Sequence, residues 1–195
     1  MFINLWNWWY PKIDSVEMQS KSIANLEVLA NRDELLKKLP AASVGAELGV
    51  EYGHFSKSIL QYVNPSKLFL VDLWKNQQIF KACKAAMSTS KQVEFCLEDS
   101  VDFLKNQKEN SLDWIYIDTD HGYSTTFKEL VESSRVVKDE GLICGHDYVH
   151  ISGASIRAYG VIPAVHKFCN EYTYEMVFLT HEAHRHLSFA LRKMP

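Results

Sequence analysis

Ser43-Val44-Gly45-Ala46-Glu47-Leu48-Gly49-Val50-Glu51-Tyr52-Gly53 runs straight into the amphipathic stretch His54–Val63. A short apolar run, a turn carrying glycines and a helix-like stretch, in that order, let backbone come close to a small ligand. Glu47, Gly49 and Gly53 make an acid-x-Gly-x-x-x-Gly loop. A carboxylate therefore stands just ahead of the turn, where a dinucleotide site places a bare glycine. It disfavours a pyrophosphate and favours a ligand carrying positive charge or hydroxyls. S-adenosylmethionine, with its sulfonium and its amino group, has that character.

Outward from this loop, strand-like and helix-like runs alternate. Strands are expected over Val44–Val50, Leu68–Leu73, Val93–Leu97, Trp114–Asp118 and Leu142–Gly145. Helices are expected between them, over His54–Val63, Gln77–Met87, Val101–Gln107 and Thr125–Val137. Such alternation predicts a parallel sheet with helices on both faces. After a helix over Ile162–Tyr172, two further strands, Tyr174–Thr180 and Leu187–Lys193, are joined only by residues 181–186 and should pair antiparallel. The fold class read from this order is α/β: a Rossmann-like, doubly wound sheet of five parallel strands plus a C-terminal antiparallel hairpin, seven strands in all. Upstream, Ser15–Leu39 has a helical stripe of Ile23, Leu26, Leu29 and Ala30, with Asn31 placed to cap a second short helix and Pro40 closing the segment. Residues 1–40 then form an aromatic and helical extension packing on a ligand-binding domain of residues 41–195.

Bulk properties remove several classes of function. The chain has 195 residues, enough for one domain with a substantial core, and 47% hydrophobic and 23% charged residues are ordinary for a globular protein. A net charge of −3 leaves no electrostatic footprint for nucleic acid. No segment approaches the roughly 20 apolar residues that span a bilayer. The four cysteines, Cys83, Cys96, Cys144 and Cys169, form no Cys-x-x-Cys pair, which suggests a reducing, cytoplasmic setting. The aromatic start, residues 1–11, lacks the regions of a signal peptide. It reads as a strap on the domain's own surface, a lid over a substrate or a homodimer contact.

Four stretches carry a resemblance: Gly45–Gly53, Leu70–Trp74, Ile117-Asp118-Thr119-Asp120-His121-Gly122-Tyr123, and Gly141–Tyr148. Gly160–Phe168 adds a late helix. In this order, and at strand ends, they resemble the small S-adenosylmethionine-dependent methyltransferases of the methyltransferase-24 type, class I enzymes, from about Val44 to Lys193. The resemblance implies a seven-stranded sheet with the cofactor beyond the carboxyl ends of the strands, where open parallel sheets bind ligands.

It also implies roles. Glu47 would hold the methionine end of the cofactor, with Gly49 and Gly53 letting the backbone approach; the plain alternative for Glu47 is a strand-end acid paired with a cation. Asp72 would take the ribose hydroxyls, or else cap the next helix. Leu73 and Trp74 would wall the adenine. Asp99 and Ser100 would read the adenine edge, or one of them would cap Val101–Gln107. Asp118 ends an apolar strand, where a carboxylate needs a reason to be. His121 suits a general base where some metal-dependent relatives keep a lysine. Asp118, His146 and Asp147 occupy positions that hold a divalent metal in such relatives, although a histidine replaces one acid and tilts any site from magnesium toward a transition metal. Without metal, His121 and His146 would act directly on a small-molecule acceptor. His150 and Arg157 lie where an acceptor loop would be, and His181, His184 and His186 read as a solvated hairpin turn. The activity expected is O-methylation of a small hydroxylated acceptor, a sugar or specialised metabolite. A nicotinamide oxidoreductase stays open because Asp72 follows Gly49 at the spacing of a ribose-binding acid, though Gly-x-Gly-x-x-Gly is missing. A non-catalytic relative that binds the cofactor stays open too.

Overall fold

Apart from Glu47, Val44–Leu48 carries only apolar residues and glycine, which suits a strand covered on both faces, and this segment lies inside the sheet. The computed structural model describes residues 16–152, 157–183 and 186–195. In chain order the elements are a 3₁₀ turn Ser20–Ile23, β1 Glu27–Leu29, α1 Arg32–Leu36, β2 Val44–Leu48, α2 His54–Tyr62, β3 Lys67–Val71, α3 Gln77–Ala86 and β4 Val93–Cys96. There follow α4 Ser100–Asn106, β5 Leu112–Ile117, α5 Tyr123–Val136, β6 Val137–Gly145, the short β7 Ile151–Ser152 and β8 Arg157–Ala158, α6 Val161–Tyr172, β9 Tyr174–Thr180 and β10 Phe189–Lys193.

The main sheet has the order β1-β9-β10-β6-β5-β2-β3-β4. β2 to β6 are mutually parallel, as expected, and β10 runs antiparallel to both β9 and β6. From β2 the chain winds outward through β3 and β4, then returns to place β5 on the other side of β2. The switch point therefore falls between β2 and β5, and their carboxyl ends open a crevice there.

Strand alternation sorts the core into two layers. Ala46, Leu48, Ile115 and Ile117 face one layer with Phe103, Leu104, Leu130 and Phe168 from α4, α5 and α6. Trp114, Tyr116, Leu68 and Leu70 face the other with Leu35, Phe55, Ile59 and Cys83 from α1, α2 and α3. The four cysteines are free. Among the described residues no helix is long and apolar enough to cross a membrane.

The N-terminal part differs from its periodicity. Instead of a helix over most of 15–39, residues Glu27–Leu29 form an eighth strand on the open edge of β9, with Leu29 opposite Thr180. Ladder hydrogen bonds offered by a free edge outweigh a weak helical preference. Asn31 does cap α1, its side chain accepting from the Glu34 N–H at 3.0 Å. The aromatic residues 1–11 lie outside the described residues.

Candidate functional site

The cofactor side of the crevice is built from backbone held by carboxylates. Gly49 leaves β2 at φ 85°, and a Cβ there would lie 2.0 Å from the Asp118 carbonyl oxygen. Only glycine lets the ends of β2 and β5 close to this distance. At the end of β3, Asp72 accepts from the Val50 and Glu51 N–H groups at 2.9 Å each through Oδ2, and from the Trp74 N–H at 2.7 Å through Oδ1. This one side chain fixes the glycine loop to the neighbouring strand. Asp99 caps α4, accepting from the Val101 and Asp102 N–H groups at 2.9 and 3.3 Å. Ser100 is therefore not the cap. It turns inward and donates to Glu129 at 2.5 Å, while Thr119 donates to the other Glu129 oxygen at 3.0 Å.

Glu47 projects from β2 toward α2 and is only 1% exposed. It accepts from the Ser56 hydroxyl at 2.5 Å. Burial pushes its carboxyl up to about 8 against that hydrogen bond, and the nearby Asp118 and Asp72 charges add to the rise. Asp118 is likewise raised to about 7, by burial first and then by the charge of Asp147.

These residues enclose a cleft of about 600 Å³ whose lining includes Glu47, Gly49, Asp72, Leu73, Asp99, Ser100, Asp118 and His121. Two residues expected to bind the cofactor do not line it. Gly53, at φ 75°, serves as the N-cap residue of α2, where a Cβ would meet Cys83 Sγ at 2.9 Å. Trp74 is 3% exposed, against 50% for Leu73. Its ring packs with Phe80 and Phe95 at centroid distances of 4.8 and 5.9 Å, and its Nε1–H donates to the Glu51 carbonyl at 2.8 Å. A buried indole needs a partner for its N–H, and the loop supplies one. Trp74 braces the site from beneath, while Leu73 alone of the pair faces the cleft.

The other side of the crevice is made by side chains pairing with one another. His121 and Asp147 both sit at positive φ, 61° and 58°, a region in which histidine and aspartate are among the better-tolerated residues. His121 Nδ1 lies 3.0 Å from Asp147 Oδ2, and His186 Nδ1 meets the other oxygen of the same carboxylate. Burial works to raise the Asp147 carboxyl, but the hydrogen bonds and charge of His121, together with the hydrogen bond from His186, hold it down to about 2. Burial works to lower His121, yet Asp147 keeps its imidazole above the ordinary 6.5. Tyr159 lies against the His121 ring at 4.7 Å and edge-on to His186 at 5.6 Å. Asp120 stiffens the same turn by accepting from the Gly122 N–H and the Thr125 hydroxyl.

His146 stands apart from this cluster. Its Nδ1 is 2.9 Å from Ser188 Oγ, which is itself 2.9 Å from the Tyr116 hydroxyl. Burial drives its pKa down to about 4, so the ring is neutral. Among the described residues the potential metal ligands are Asp118, His121 and Asp147, with ligand atoms within 4.8 Å of one another. Of the expected set of Asp118, His146 and Asp147, His146 gives way to His121, because residues 146 and 147 follow one another at a strand end and direct their side chains differently.

Two residues of the site are invisible to sequence reading. His186, expected in a solvated turn, lies on Asp147. Arg32 lines the cleft from α1 with its guanidinium 4.3 Å from the Phe55 ring. His181 stays exposed, its N–H donating to the Leu29 carbonyl, and His184 and the Arg157 side chain lie outside the described residues. Glu129, which supports Ser100 and Thr119 from behind the site, was equally hidden; it lies three residues after Thr126 and four before Ser133 on the buried face of α5.

With this geometry in place, comparison with known proteins is informative. A family model described as a methyltransferase domain matches residues 46–148, more than half of the chain. Comparison with curated proteins gives no match. Among solved structures, a Streptococcus mutans protein classed as a methyltransferase, in complex with SAH, superposes with a TM-score of 0.63 at 13% identity over 84% of this chain and 96% of its own. A type 11 methyltransferase-class protein of Sulfolobus solfataricus gives 0.58 at 18% identity over 79% and 85%. Aeropyrum pernix fibrillarin with natively bound S-adenosyl-L-methionine gives 0.60 at 12% identity over 82% and 73%. At these identities the structures establish a shared fold.

Proposed function

This chain belongs to the methyltransferase-domain family, and on that premise we propose that it moves a methyl group from S-adenosylmethionine to a hydroxyl oxygen of a small acceptor, with His121 as the base. The observation that carries the reading is the His121–Asp147 pair beside the cleft, with Asp147 fixed through both oxygens.

The cleft residues fit the cofactor. Glu47, Asp72 and Asp118 line one cleft; burial above all raises Glu47 and Asp118, and repulsion adds to it, from Asp118 and Asp72 on Glu47 and from Asp147 on Asp118. A cationic ligand relieves that repulsion. Asp72 keeps lone pairs for ribose hydroxyls beyond the three N–H groups it accepts, Leu73 offers an apolar surface, and Asp99 and Ser100 stand at the next strand end. Bound there, the cofactor would supply an electrophilic methyl carbon for the acceptor oxygen, with the electron pair of the carbon–sulfur bond left on sulfur.

The chain's own residues govern the proton. Asp147 fixes the His121 ring through Nδ1, which leaves Nε2 to take the acceptor's hydroxyl proton. Asp147 also stabilises the imidazolium that results. Asp118, whose raised carboxyl a nearby cation would bring back toward its ionised form, would offer the donor's sulfonium a negative charge. His121→Gln should lower turnover by about 10²-fold or more while S-adenosylhomocysteine affinity stays unchanged. Labelled methyl transfer to a panel of hydroxylated acceptors measures the first, and calorimetry the second. Wild-type turnover in that variant would remove His121 from the mechanism.

A second reading, metal assistance, is favoured by the proximity of Asp118, His121 and Asp147. One nitrogen and two carboxylates suit a transition metal better than magnesium. Such an ion would acidify the acceptor hydroxyl. Turnover abolished by a chelator and restored by manganese or zinc would select this reading; turnover indifferent to the chelator would select the His–Asp pair.

A further inference from the structure

A second cleft of about 680 Å³ adjoins the first and shares Arg32, His54 and Phe55 with it; Asp33, Ser58, His146 and His186 complete its lining. Its chemistry is opposite to that of the cofactor cleft. The first gathers carboxylates, whereas the second has an arginine and three imidazoles against one carboxylate, Asp33. Arg32 is the dominant group. Among the described residues its guanidinium makes no ion pair, and its face rests on the Phe55 ring at 4.3 Å. The position of Arg32 is fixed by its backbone N–H, which donates to Glu182 at 2.7 Å and ties the start of α1 to the β9–β10 connection. An anchored guanidinium stacked on an aromatic ring presents its planar fork to a carboxylate or phosphate at low ordering cost.

Position adds a constraint. His186 lines this second cleft and also grips Asp147, whose other oxygen holds His121 at the first. The ridge of Arg32, His54 and Phe55 separates the two spaces, so a molecule crossing it would have one end among basic groups and the other beside His121. Resting on the methyltransferase reading above, we propose that the acceptor carries an acidic group, a carboxylate or phosphate, which Arg32 holds in the second cleft while its hydroxyl end reaches His121. Arg32 is then a specificity-determining residue. The methionine carboxylate of the cofactor is the competing source of the same chemistry, because Arg32 also lines the first cleft.

The test uses the full chain saturated with S-adenosylhomocysteine. Calorimetry measures binding of paired probes: glucose against glucose 6-phosphate and glucuronate, and 4-hydroxybenzamide against 4-hydroxybenzoate. The acidic member of at least one pair should bind at least tenfold more tightly, and Arg32→Gln should erase the difference. Arg32→Lys, which keeps the charge but not the fork, should retain part of it. Asp33→Asn, which removes the opposing charge, should strengthen acidic probes. S-adenosylhomocysteine and 5′-methylthioadenosine, which lacks the amino-acid moiety, are titrated against wild type and Arg32→Gln. If the variant weakens only the former, Arg32 holds the cofactor carboxylate and the proposal fails. It fails equally if acidic and neutral probes bind alike, if no acidic probe binds, or if the preference survives in Arg32→Gln. Absence of S-adenosylhomocysteine binding in the wild type would instead overturn the methyltransferase reading itself.

Discussion

The two halves of the sheet's carboxyl edge are held by different means. On the β2–β3–β4 side, Asp72 and Asp99 bond to backbone N–H groups of their own and adjacent turns. On the β5–β6–β10 side, His121 and His186 each bond to Asp147, one at either carboxylate oxygen, and His146 reaches across 42 residues to Ser188. A carboxylate that braces backbone makes a rigid cradle. Side chains that fix each other make a proton-handling site whose members act as a unit. The first arrangement suits holding a cofactor and the second suits reacting with an acceptor.

The strongest way to break the contrast is Gly49→Ala. The new Cβ would collide with Asp118 backbone, at a φ that disfavours any side chain. Overpacking and the φ penalty together cost on the order of 3 kcal/mol. Thermal denaturation should show that loss, and S-adenosylhomocysteine binding should disappear with it. A stable variant that still binds would mean the β2 and β5 ends need not approach so closely.

Asp147→Asn probes the other half with a smaller structural effect. Turnover should drop by about 10²-fold or more, and the surviving pH profile should change in a stated direction. The base works unprotonated, so wild-type turnover rises as pH passes through the elevated His121 pKa. Without the Asp147 charge that pKa falls, and Asp118, which the same charge raises, falls with it. The acid limb should therefore move to lower pH. A limb that stays in place would show that neither group is tuned by Asp147.

Glu129→Gln sharpens the comparison with the mildest effect. Burial raises Glu129 from 4.5 to about 7 against hydrogen bonds from Ser100 and Thr119. In that window the folded protein holds a proton that the unfolded chain releases. Stability from this group is fully present below 4.5 and falls as pH rises through about 7. The slope is at most about 1.4 kcal/mol per pH unit. Glutamine removes the titration, so the variant's melting temperature should decline less than wild type across this window. Parallel curves would contradict the assignment.

The same contrast explains what the sequence revealed. Strand–turn–helix alternation and acids at strand ends are local signals, and they located Glu47, Gly49, Asp72, Asp99, Asp118, His121 and Asp147 at one edge of the sheet. Arg32 was hidden because its place depends on Glu27–Leu29 pairing with β9, a contact between segments about 150 residues apart. His186 was hidden because a histidine beside a hairpin strand points to solvent or to Asp147 according to the register of β10, and a slip of one residue exchanges the two faces. His146 and Trp74 were misdirected for a related reason. His146 stands next to Asp147, which pairs with His121, and Trp74 next to Leu73, which lines the cleft; neighbours there diverge. Local pattern marks the edge on which a residue lies; tertiary pairing decides where its side chain goes.

The central claim is that cofactor binding and chemistry belong to separate halves of this edge. Calorimetric titration of S-adenosylhomocysteine into wild type, Asp72→Ala and His121→Gln tests it most directly. The account predicts saturable binding to the wild type, unchanged affinity in His121→Gln and loss of binding in Asp72→Ala. Binding that survives in Asp72→Ala, or that is lost in His121→Gln, would contradict it.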